Sequence, residues 1–256
     1  MFCSRATLWY LVTSYQYKTI VMKRLTYSIF AAILVFAATF KASAQSGESR
    51  QVAGFHSIAS SGPFDVHVNI NGTESLKISA SSEIINEIET VVEDGRLEIK
   101  FKHHHEWHND DYGKIDIYVT AKSLSALTNS GSGSMRVEGA AVSGEDVSVV
   151  LSGSGDIESS IKSGNLRASI SGSGSIRLNG TADNAKVAIS GSGELKGKEL
   201  KTNSASVMIA GSGNAYFSAD KTVSAHITGS GNVVYSGNAT ITDVRTVGSG
   251  SVSREN

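Results

Sequence analysis

From Phe55 onward, apolar and polar residues alternate in short runs. Val66, Val68 and Ile70 are interleaved with Asp65, His67 and Asn69, and Leu76 and Ile78 follow a turn signal at Asn71-Gly72. Leu97, Ile99 and Phe101 come after a second turn signal at Asp94-Gly95, and Ile115, Ile117 and Val119 form the next run. A period of two marks half-buried strands. Between these runs, the segment from Ser82 to Val92 holds Ile84, Ile85, Ile88, Val91 and Val92 at a spacing that fits a short helix or an irregular strand. Its β-branched side chains favour extended structure, and a strand is the expectation there.

After residue 125 the pattern becomes periodic. Gly-Ser-Gly begins at Gly131, Gly153, Gly172, Gly191, Gly211, Gly229 and Gly248, in steps of 22, 19, 19, 20, 18 and 19 residues. Two residues before each triplet stand Leu151, Ile170, Ile189, Ile209 and Ile227, and four before stand Val149, Ala168, Val187, Val207 and Ala225. Six before stand Val147, Leu166, Ala185, Ala205 and Val223. Four after stand Met135, Ile157, Ile176, Leu195, Ala215, Val233 and Val252. The positions between, such as Ser148, Arg167, Ser169, Lys186 and Ser206, are polar. Self-similarity at this period predicts a solenoid: each repeat supplies a strand, a Gly-Ser-Gly corner and a second short strand, and stacking buries columns that no single repeat could bury. A flexible Gly-Ser linker would lack apolar columns in register. The columns weaken at both ends, with Ser125 and Asn129 in the first repeat and Thr242 and Thr246 in the last. Polar terminal rungs are expected at the ends of a solenoid.

The N-terminus reads differently. From Met22, a basic Lys23-Arg24 pair precedes an apolar run from Ile29 to Phe40 and then Ala42-Ser43-Ala44. This is the layout of a secretory signal peptide, and the apolar run is shorter than the roughly 20 residues of a membrane span. Residues 1–44 are therefore expected to be leader and signal, with Met22 the expected true start, 45–53 a short polar linker, and 54–256 the solenoid. Cleavage after Ala44 removes Cys3, the only cysteine, and leaves 18 basic against 24 acidic residues, a net charge of −6. A mature chain of this kind has no disulfide, no thiolate metal site and no basic run for nucleic acid. It has no integral membrane span either, and an exported protein of the periplasm or cell surface is expected.

The Ser61-Gly62-Pro63-Phe64-Asp65-Val66 stretch, Ile84-Ile85, the Asp94-Gly95-Arg96-Leu97-Glu98-Ile99 turn and strand, and the SGSG corners at 152–155, 171–174 and 190–193 together carry a resemblance. Over roughly residues 54–240 the chain resembles the putative auto-transporter adhesin, head GIN domain family. The resemblance implies an all-β fold, a right-handed, single-stranded, pectate-lyase-like parallel β-helix with rungs of about 19 residues, and exported proteins of Bacteroidetes-type bacteria. It carries over no catalytic residues and no cofactor.

Two groups invite a chemical reading. The run His103-His104-His105-Glu106-Trp107-His108-Asn109-Asp110-Asp111 lies between two predicted strands and is expected to be an exposed loop. Imidazoles and carboxylates are metal ligands, so His103, His105 and His108 form a weak candidate cluster, although nothing elsewhere completes a coordination shell. Trp107 is a weak candidate for stacking on a ligand and otherwise caps the end of the coil. Among the acids of the repeats, Asp156 and Glu194 share a column, with Ser175 between them. Carbohydrate-cleaving chemistry calls for clustered carboxylates, and no compact acidic triad is legible. The expectation is therefore a non-enzymatic, adhesin-like binding or structural module of the cell envelope. Its expected partner is a surface glycan or another envelope protein, and an uncapped last rung would favour a homo-oligomer. The alternative is a polysaccharide-acting enzyme on the same β-helix, which a surface cluster of acids in a groove would betray.

Overall fold

The computed structural model describes residues 46–102 and 113–255. In chain order the strands are Ser46–Arg50 (β1), Ser57–Ser61 (β2), Asp65–Ile70 (β3), Ser75–Ala80 (β4), Ile88–Glu93 (β5), Arg96–Phe101 (β6), Asp116–Ala121 (β7), Ala126–Gly131 (β8) and Ser134–Gly139 (β9). Val142–Gly153 (β10), Asp156–Gly172 (β11), Ser175–Gly191 (β12), Glu194–Gly211 (β13), Asn214–Gly229 (β14), Asn232–Ser236 (β15), Thr240–Gly248 (β16) and Ser251–Arg254 (β17) follow. The helix Ser82–Glu87 (α1) precedes β5.

The repeat half is a stack of parallel coils. Each long strand bends at its corners and pairs along its length with the coil before and the coil after. The register follows the sequence columns: Leu151 lies beside Ile170, Ile170 beside Ile189, Ile189 beside Ile209 and Ile209 beside Ile227. All five are buried. At the corners, Gly153, Gly172, Gly191, Gly211, Gly229 and Gly248 have φ between 113° and 128°. A Cβ built on Gly172 would lie 2.4 Å from the carbonyl oxygen of Gly153 in the coil below. Both the left-handed backbone and the close approach of rungs therefore require glycine at this corner.

The N-terminal half is interleaved rather than stacked in chain order. On one wall β2 lies between β6 and β8, and on the next wall β3 lies between β7 and β9. The coil formed by β6 and β7 therefore sits outside the coil formed by β2 and β3, although it comes later in the chain. This arrangement overturns the reading of Ser125 and Asn129 as a polar terminal rung. Their repeat is internal, and Asn129 is fully buried between Ser60 and Leu151. Its Nδ2 donates to the Gly133 carbonyl at 2.7 Å, so a local backbone acceptor satisfies its donor inside the core, while its Oδ1 is buried without a hydrogen-bond partner among the described residues.

The last rung also departs from the sequence columns. A register shift after Val223 pairs Ile241 with Val223 and Asp243 with Ser224. Thr242 is the extra residue, and its hydroxyl donates to the Val223 carbonyl at 3.3 Å. Ile241 thus takes the column position expected of Thr242.

The N-terminal end is closed by antiparallel strands. β4 pairs with β7, β1 with β4, and β5 with β6 through a turn at Asp94 and Gly95, both at positive φ. Two expectations are corrected here. Residues 46–50, expected within a linker, form β1. Arg50 donates from Nη1 to the Ile88 carbonyl at 2.7 Å and from Nη2 to the Ile85 carbonyl at 2.9 Å, tying β1 over α1 and β5. The segment from Ser82, expected as extended, begins as α1 and becomes strand only at Ile88. The Ser81 hydroxyl accepts from the Ile84 N–H at the helix N-terminus, and Ile84 and Ile85 are buried. Capping and burial outweigh the weak helix propensity of isoleucine.

Candidate binding groove

A wide groove of about 760 Å³ runs along the outside of the coil from β8 to β14. Six strands at about 4.8 Å spacing give it a length of roughly 24 Å. It follows the strip just after a break in pairing at Glu145, Gly164, Asp183 and Asn203, where the chain turns from one wall to the next. Gly164 leaves room there for the Glu145 carboxylate, which a Cβ would meet at 2.6 Å.

Two polar ladders line the groove. The first comprises Asp146, Asn165, Asn184, Ser204 and Thr222 in register. The Asn165 amide donates to Asp146 Oδ1 at 3.1 Å, and the Asn184 amide donates to Asn165 Oδ1 at 3.1 Å. A parallel bond joins Asn203 to Asp183 at 3.0 Å at the turn. Each asparagine amide has two N–H groups and an acceptor oxygen, so hydrogen-bonding capacity remains directed at solvent. The second ladder is Ser148, Arg167, Lys186, Ser206 and Ser224. Arg167 and Lys186 are exposed on adjacent rungs, and among the described residues neither makes an ion pair. The neighbouring wall differs. There Glu158 lies 3.2 Å from Arg136 and 3.7 Å from Arg177, and Lys196 lies 3.3 Å from Glu194, so opposite charges are already matched.

That neighbouring wall holds the acid column seen in the sequence. Asp156 and Glu194 flank Ser175 as expected, and Ser175 donates to Asp156. Interleaving lengthens the column, because Asp116 pairs with Asp65, and Ser134 continues from Asp65 to Asp156. Asp65 accepts from Ser134 at 2.7 Å. Asp116 is almost fully buried, 2.7 Å from Lys114 Nζ and 3.1 Å from His67 Nε2. Burial pushes its pKa up, but the hydrogen bonds and charges of Lys114 and His67 outweigh this and hold it below the ordinary carboxylate value. The same contact raises the pKa of Lys114. His67 stacks on half-exposed Tyr118, with ring centroids 5.0 Å apart. The acids on this wall are thus engaged by neighbours, and they lie outside the groove, where Asp146 is the one carboxylate among the lining residues.

His103, His105, His108 and Trp107 fall outside the described residues. Among the described residues, no group of three His, Cys, Asp or Glu side chains is arranged to hold a metal ion. No helix there is long and apolar enough to cross a membrane. The groove residues were legible in the sequence only as outward positions of the repeat. The ladder Asp146, Asn165, Asn184 was open to the same column alignment that revealed the core. The contact of Asp116 with His67 was not, because it depends on the interleaving of β3 between β7 and β9.

Comparison with known proteins agrees with this architecture. A putative adhesin from Bacteroides fragilis superposes with a TM-score of 0.74 at 22% identity, covering 82% of this chain and 96% of that one. A putative lipid binding protein from Parabacteroides distasonis gives a TM-score of 0.66 at 24% identity, with 82% and 96% covered. A putative adhesin from the same species gives 0.64 at 22% identity, with 84% and 98% covered. At these identities the likeness is one of fold. No curated protein matches the chain. The family model for the putative auto-transporter adhesin, head GIN domain, matches residues 54–239, and with the SGSG-cornered coil it places the chain in that family.

Proposed function

We propose that this protein is an exported, non-enzymatic adhesin-like module that holds an acidic surface glycan along the groove of its solenoid. In this reading residues 1–44 are removed, 54–256 form the working domain, and it acts in the periplasm or at the cell surface. The observation that carries the reading is the groove itself. It spans six strands and carries two ladders rich in amides and hydroxyls on either side of Val147, Leu166, Ala185 and Ala205, with Arg167 and Lys186 unpaired on adjacent rungs. A repeating row of donors and acceptors suits an extended, hydroxyl-rich polymer, and two neighbouring cations suit its carboxylate or sulfate groups. A rigid sheet presents them with little ordering cost on binding.

The polysaccharide-cleaving alternative requires an acid and a base facing one another across a cleft. The groove offers Asp146 alone, already hydrogen-bonded to Asn165. The parallel with the putative lipid binding protein raises a second ligand class, an anionic lipid headgroup, which the same two cations would attract.

Calorimetry of the purified protein with neutral, uronate-containing and sulfated oligosaccharides tests the proposal, with anionic lipid vesicles as a separate arm. Binding to acidic oligosaccharides is expected, weakened at least about tenfold in Arg167→Ala/Lys186→Ala, since two charge-assisted contacts are lost. The melting curve of the variant should match that of the wild type. Failure of every oligosaccharide to bind, binding unaffected by the double substitution, or vesicle binding alone would each overturn the glycan reading. Shortening of the oligosaccharide during incubation would overturn the non-enzymatic one.

A further inference from the structure

The two ends of the solenoid are finished differently. At the N-terminal end, antiparallel β4 and β5 pair with the outermost parallel strands β7 and β6, β1 adds outside β4, and Arg50 ties β1 to β5. At the other end, β16 pairs with β14 and β17 with β15, and among the described residues no strand pairs with their outer edges. Every residue of β16 except Asp243 is exposed, including Ile241 at 46%, Val244 at 41% and Val247 at 69%. An uncovered strand edge with apolar side chains is a template for pairing with another strand.

The sequence of β16 indicates which strand. Residues 241–247 read Ile-Thr-Asp-Val-Arg-Thr-Val, matching in kind outward from Val244: Asp243 with Arg245, Thr242 with Thr246, Ile241 with Val247. In an antiparallel pair related by a two-fold axis through Val244, each residue faces its counterpart from the other copy. Asp243 then lies opposite Arg245 of the second copy, twice, and Val244 lies opposite itself. Directly opposite residues share a face of the sheet, and opposite charges there are favourable. The extra residue at Thr242 confines regular pairing to the centre of the strand, where these matched residues sit. A parallel neighbour, by contrast, would stack like on like, Asp243 beside Asp243.

We propose that two copies of this protein associate C-terminal end to C-terminal end, through antiparallel pairing of β16 with β16 centred on Val244. The contact is isologous, so it closes as a dimer instead of growing into a filament. The pairing makes one wall of the solenoid continuous across the dimer and puts the two grooves on opposite sides of the junction.

The test joins sedimentation equilibrium with site-directed cross-linking of the purified protein. The wild type should sediment as a dimer. Asp243→Arg places like charges opposite one another at both positions and should give a monomer, whereas Asp243→Arg/Arg245→Asp keeps the match and should restore the dimer. Val244→Cys, in a Cys3→Ser background, places two thiols on the axis. Opposed Cα atoms in an antiparallel pair are about 4.5–5.5 Å apart, within disulfide reach, so a linked dimer should appear on a non-reducing gel. Ser253→Cys, away from the axis, should not link. A wild type that is monomeric at all concentrations, a dimer that survives Asp243→Arg, or failure of Val244→Cys to link would each overturn the proposal. If Asp243→Arg loses its fold by circular dichroism, the cysteine variant still decides.

Discussion

Replacing Ile189 with alanine puts the stacked core to a quantitative test. Ile189 is 2% exposed and sits in register between Ile170 and Ile209. Its Cγ2 packs beneath the next corner, 2.5 Å from where a Cβ on Gly213 would lie. The substitution removes three carbon atoms, worth about 2.4 kcal/mol at about 0.8 kcal/mol each. The neighbours are poorly placed to close the gap, because backbone hydrogen bonds fix the spacing of β11, β12 and β13. A residual void of roughly 50 Å³ adds about 1.2 kcal/mol, giving a total of about 3.6 kcal/mol. Lys186, three residues away and pointing outward, should cost no more than about 0.5 kcal/mol when changed to alanine. Urea melts of the two variants measure the difference. Hydrogen exchange locates it, since each coil contacts only its neighbours. Protection should fall in β11 to β13 and persist in β2 and β6. Equal, small losses of stability for both variants would refute the core assignment, and a uniform loss of protection would refute the local character of the damage.

Two other expectations follow from the corners and from the buried acid. Gly172→Val should destabilise by several times more than Ser173→Ala in the same melts, because φ of 122° and the Gly153 carbonyl leave no place for a branched side chain. The depressed pKa of Asp116 contributes stability that is fully present above the ordinary carboxylate value of 3.8 and is lost as pH falls through the lower folded value. The gap in melting temperature between wild type and Asp116→Asn should therefore be widest near neutrality and shrink below about pH 4. A gap that stays constant down to pH 2 would show that Lys114 and His67 do not hold the charged form.

Much of the fold is written locally in the chain. The corner triplets, the columns they align and the alternation of the N-terminal runs determine a parallel coil, because a repeat that must bury its apolar face can do so only against a copy of itself. Ile170 beside Ile189, the left-handed glycines and the turn at Asp94-Gly95 were all legible for this reason, as was the pairing of Asp156, Ser175 and Glu194. The tertiary structure decided what depends on which strands become neighbours. Nothing in the local pattern of β2 or β6 says that the earlier strand lies inside the later one. That choice buries Asn129, joins Asp116 to His67, and converts an apparent terminal rung into an internal one. Alpha-helical Ser82–Glu87 and strand Ser46–Arg50 were hidden for a related reason. Their local preferences are weak, and burial of Ile84 and Ile85 and the reach of Arg50 across α1 decided them. The groove stands between these cases: its residues follow the repeat, but its concavity comes from the turn at Gly164 and its neighbours, which exists only once the coils are stacked.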